Sequence, residues 1–144
     1  MSSASSSKGK VEIKFEHRNI PLCNTLRAQL VKDSKKMEAL CKEFKALKAK
    51  LQHVIADVSG DKEKDLQEKM ETVSKGVELW DLLEQEVLKH CNLLGDAYKL
   101  DEKTCAELLS EGEIIKVKLD SMTKGAKTEK TAALALLPAI GGPV

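Results

Sequence analysis

Aromatic residues are nearly absent from this chain: Phe15, Phe44, Trp80 and Tyr98 are the whole set among 144 residues. So few rings leave little bulk for a thick globular core and no platforms on which bases could stack. Arginine is as scarce, with Arg18 and Arg27 standing against many lysines. The planar fork that grips phosphate is therefore almost missing. The net charge is +1, too small to steer nucleic acid or an acidic surface toward the protein. No nucleic-acid partner is expected. No uncharged run reaches the roughly 20 residues that span a bilayer. Met1 to Lys10 is Ser-rich and lacks a signal-like apolar stretch, and there is no Asn-x-Ser/Thr acceptor. The expectation is an intracellular, cytoplasmic chain.

Signs of catalysis are missing too. Cys23, Cys41, Cys91 and Cys105 form no CxxC pair and have no zinc-ligand spacing with His17, His53 or His90. No metal, cofactor or catalytic residue is expected, and the thiols should be reduced. His90 stands beside Cys91, which could lower a thiol pKa, but adjacent helical residues point about 100° apart. Gly125-Ala-Lys-Thr128 resembles the end of a phosphate loop without its upstream glycine or preceding strand. The chain is not expected to be an enzyme.

What is present is helical periodicity. Leu26, Leu30, Asp33, Met37, Leu40, Phe44, Leu47, Leu51, Val54 and Val58 follow one another in alternating steps of four and three. That is a heptad seam, broken only by Asp33. Asn19-Ile20-Pro21 reads as a helix start and Ser59-Gly60-Asp61 as a stop followed by a new start. The second seam is Leu66, Met70, Val73, Val77, Trp80, Glu84, Val87, Cys91, Leu94 and Tyr98, again with one acidic exception. The short connection makes the two helices antiparallel neighbours.

Turning the hairpin at Gly60 sets Val54 opposite Leu66, Leu47 opposite Val73, Leu40 opposite Trp80, and Phe44 opposite Gly76. A large ring against the smallest residue accounts for a glycine inside a helix. Asp33 and Glu84 fall within one turn of each other. Two acids on a shared seam need lysines (Lys32, Lys36, Lys89) or water nearby, and they fix register at a cost in stability.

The same phase continues through Asp101, Cys105, Leu108, Gly112, Ile115, Leu119 and Met122. This is either one long helix or a break near residues 95–101 and a third helix folding back. Leu79, Leu83, Leu88, Leu93 and Leu100 lie off the seam and need a second partner. A third helix would supply it, as would a second copy of the chain; the third helix is favoured.

The fold expected is all-α: a long antiparallel helical hairpin or three-helix coiled-coil-like bundle. Residues 1–10 form a disordered tail, and residues 11–124 form the bundle, with helices over about 21–58, 61–98 and 101–123. Residues 125–144 form a linker and an uncharged apolar tail. The alternation of Val11, Ile13 and Phe15 reads as a short extended segment lying on the bundle. Residues 21–58 hold eight bases and four acids, and residues 59–113 seven bases and fifteen acids. A basic helix beside an acidic one suggests charges flanking a shared seam.

These features point first to a non-enzymatic module for protein–protein interaction or self-association, with the partner another helix. The alternative is a membrane-active protein, lipid-binding or pore-forming. In it the segment from Thr131 to Val144 would begin an insertion element through Leu134, Leu136, Leu137 and Ile140. Long amphipathic helices running into an Ala/Leu/Gly/Pro apolar segment resemble, in arrangement, apolipoprotein L-type and helical pore-forming proteins. The chain would then be membrane-associated.

Overall fold

The structure, a computed structural model, describes the backbone of residues 15–140 and side chains as far as Leu137. Three long helices pack into an up-down-up bundle: α1 (Asn19–Ile55), α2 (Asp61–Gly95) and α3 (Glu102–Ile140). A single 3-10 turn, Ala97–Lys99, joins the last two. The expected all-α three-helix architecture is the one observed, and no strand occurs among the described residues. Val11, Ile13 and the N-terminal tail lie outside those residues. Phe15 lies ahead of α1 without regular structure, and its N–H donates to the Tyr98 carbonyl at 2.8 Å.

Gly60 turns the chain from α1 into α2 at φ +72°, a left-handed conformation that glycine adopts without strain. Asp61 and Glu63 then occupy the first turn of α2, where the positive end of the helix dipole favours acids. At the other end, Arg27 reaches from α1 to donate from Nε to the Cys91 carbonyl at 3.2 Å. A cation there suits the carbonyl-rich end of α2. Asp101 caps α3: its carboxylate accepts the Thr104 N–H at 2.7 Å. Those hydrogen bonds hold the Asp101 carboxyl below its ordinary range.

The one large departure from expectation is the length of α3. Residues 125–130, expected as a linker, are helical, and the helix runs on through the apolar segment to Ile140. The physical reason lies in small residues. Ala126 and Ala133 are buried and keep the phase of Leu119 and Met122. Ion pairs bind this stretch to both neighbours, Lys69–Glu129 at 3.0 Å and Lys130–Glu43. Alanine, lysine and glutamate are also strong helix formers. The other boundaries shift less: α1 starts two residues before Pro21 and ends three before Val58, and α2 ends at Gly95 rather than Tyr98.

Charge pairing also differs from expectation. The basic α1 and acidic α2 do lie side by side, but among the described residues the ion pairs between helices all involve α3. The α1 lysines stay in water, where an exposed pair would contribute about 0–1 kcal/mol.

Candidate functional site

The core runs the length of the bundle and buries Leu26, Leu30, Met37, Leu40, Phe44, Leu47 and Leu51 from α1. Leu66, Val73, Trp80, Val87 and Leu94 join them from α2, and Leu108, Ile115 and Leu119 from α3. Val54, Met70 and Val77 are partly buried against this core, and the acidic exceptions Asp33 and Glu84 are half-buried. Phe44 meets Gly76 as the hairpin register requires: a Cβ on Gly76 would stand 3.1 Å from the ring. At the end of α3, Leu136 and Leu137 pack against the bundle while Leu134 stays 40% exposed. The Ile140 side chain lies outside those described.

Sequence spacing missed several buried groups. Cys23 lies one step before the α1 seam begins at Leu26, Cys41 beside its Leu40, and His90 beside Cys91 on the α2 seam, yet all three are buried. His90 Nε2 bonds the Leu108 carbonyl at 2.8 Å, and Gly112 leaves the space for its ring. Burial pushes the Cys91 thiol up despite the opposing pull of Arg27, so it is the reverse of an activated nucleophile. Among the described residues no group of histidine, cysteine and acids is arranged to hold a metal, and no helix is long and apolar enough to cross a membrane.

The bundle is not equally closed on its three sides. α2 and α3 pack against each other less closely than either packs against α1. Leu83 is buried between the helices, but other apolar residues on this side stay in water. Leu79 and Leu93 on α2 are 51% and 41% exposed, and Ile114 and Val117 on α3 are 59% and 63% exposed. Leu82, one turn beyond Leu79, is 71% exposed.

Two of the depressions between these helices adjoin those residues. The upper one is a shallow hollow lined by Glu86, Lys89, His90, Leu93, Glu111 and Ile114. The lower one is a groove of about 780 Å³ whose floor is Met37 and Phe44 of α1. Its walls are Leu79 and Gly76 on α2, and Val117, Met122, Gly125 and Ala126 on α3. Lys75 and Lys118 stand at its rim. The signal in the sequence was the off-seam leucines of α2, but not where α3 would leave them uncovered. No protein-family model, curated protein or solved structure matches this chain.

Proposed function

We propose that this chain is a non-enzymatic helical-bundle module for protein–protein interaction, and that it self-associates through the α2–α3 side. One observation carries this reading: Leu79, Leu82, Leu93, Ile114 and Val117 expose an apolar stripe, interrupted by Glu86 and Lys89, on the side where α2 and α3 pack least closely. Exposed apolar residues gathered on one face mark interaction sites, whereas scattered ones do not. The rim of the stripe carries both signs, with Glu86 and Glu111 beside Lys89 and Lys118. A surface of mixed sign can be complementary to itself, as a two-fold interface requires. A second copy would bury the stripe against its own counterpart, and the rim charges would select orientation.

The test is sedimentation velocity over a hundredfold concentration range, on the chain and on a Leu82→Lys/Ile114→Lys variant. Both positions are exposed, so the variant should fold. Reversible association that the variant abolishes supports the reading. A monomer at every concentration removes it. Flotation with vesicles by that monomer would instead favour the membrane-active alternative.

A further inference from the structure

Gly125 is a glycine that packing does not explain. It sits inside a long helix, where glycine is unfavourable relative to alanine, and a Cβ built on it meets nothing within 4 Å. Gly76 and Gly112 differ, because their missing side chains make room for Phe44, Leu26 and His90. What Gly125 does open is the groove, whose wall it forms. We propose that this groove binds a long-chain fatty acid, with the acyl chain lying between α2 and α3 and the carboxylate at the lysines of the rim.

Three observations favour that occupant. The first is shape. The groove reaches down between two helices to Met37 and Phe44 on the third. Its α3 wall runs from Val117 to Glu129, about 18 Å at the helical rise, which suits an extended acyl chain.

The second is lining. Methionine on the floor and on the wall (Met37, Met122) adapts to flexible apolar ligands, and the volume lies within the range of small-molecule sites. The third is charge. Lys75 has no ion-pair partner among the described residues, and Lys118 is engaged only by the exposed Glu86 at 3.4 Å. Such an exposed pair is weak enough to be exchanged for a ligand carboxylate. The rim acid Glu129 is already held by Lys69. The groove shares Leu79 and Val117 with the self-association surface, so a bound acyl chain and a second copy would compete for this side.

The experiment is calorimetric titration of the full chain with palmitate, kept below the concentration at which it aggregates, and with its uncharged methyl ester. The expected result is saturable one-to-one binding of palmitate. Gly125→Leu should fill the groove and weaken binding at least tenfold without lowering the thermal midpoint. Lys75→Gln/Lys118→Gln should weaken palmitate severalfold and leave the ester unchanged. Absence of saturable binding overturns the proposal, as does a Gly125→Leu chain that binds as tightly as the parent. Capture of a helical peptide that palmitate does not displace, with no palmitate binding, also overturns it and gives the groove to a protein partner.

Discussion

At the scale of single residues, the helical glycines separate three physical situations. A Cβ on Gly112 would stand 2.5 Å from Leu26 Cδ2 and 3.1 Å from His90 Nε2. The Leu26 methyl is the end of a flexible side chain, but it is buried in the core, and the His90 ring is fixed by its bond to Leu108. Neither can move away freely. Gly112→Ala gains about 1 kcal/mol in helix propensity and loses about 2–3 kcal/mol through overpacking. It should therefore destabilise the fold by about 1–2 kcal/mol. Gly125→Ala gains the propensity with no clash and should stabilise it by about 1 kcal/mol. Gly76→Ala, with Phe44 at 3.1 Å, should fall between them. Urea unfolding of the three variants checks the order, and a Gly112→Ala chain as stable as Gly125→Ala would contradict the packing described here.

At the scale of elements, α1 and α2 were legible because their seams are built from large apolar residues, and large residues announce the period. Phe44 against Gly76 was legible for a related reason: once Gly60 is the turn, register follows from counting. The second half of α3 was not legible. Its buried positions are Ala126 and Ala133, and the charged residues between them, Glu129 and Lys130, hold the helix through ion pairs rather than by burying apolar surface. Periodicity read from hydrophobicity is blind to such a stretch. The groove was hidden for the same reason, since its α3 wall lies partly in that stretch, at Gly125, Ala126, Thr128 and Glu129.

The extended α3 makes its own prediction. Ending the chain after Lys124 would remove Ala126, Ala133, Leu136 and Leu137 from the far end of the core. Leu47, Leu51 and Leu66 would lose cover there. The apolar area returned to water amounts to about 4 kcal/mol, or roughly 10 °C in thermal midpoint for a chain of this size. Calorimetry on the truncated and full chains measures it. An unchanged midpoint would mean that the end of α3 does not pack against the bundle, and would free Leu134, Leu136 and Leu137 for the membrane-active alternative.

At the scale of the whole molecule, four free thiols are buried along the bundle, and they tie its stability to alkaline pH. Cys23 and Cys105 lie together where α1, the 3-10 turn and α3 meet. There the Cys105 thiol donates to the Ala97 carbonyl at 3.4 Å, and Cys41 and Cys91 lie further along. Burial pushes the Cys23 thiol up to about 11, with neighbouring Cys105 adding to the effect. Burial raises Cys41, Cys91 and Cys105 as well. In the unfolded chain these thiols ionise near the ordinary value of 9.0. Above that pH the folded state holds more protons than the unfolded one, so stability falls as pH rises. The contribution of Cys23 is complete below about pH 9 and is lost progressively toward pH 11. The rise from 9.0 to about 11 corresponds to a contribution on the order of 3 kcal/mol. Urea midpoints measured under reducing conditions from pH 7 to 10.5 should be level at first and then decline. The decisive comparison is Cys23→Ala. That variant should start less stable, through the cavity it creates, and decline less steeply. Parallel curves for the two proteins would show that the Cys23 thiol is not the group losing its proton on unfolding.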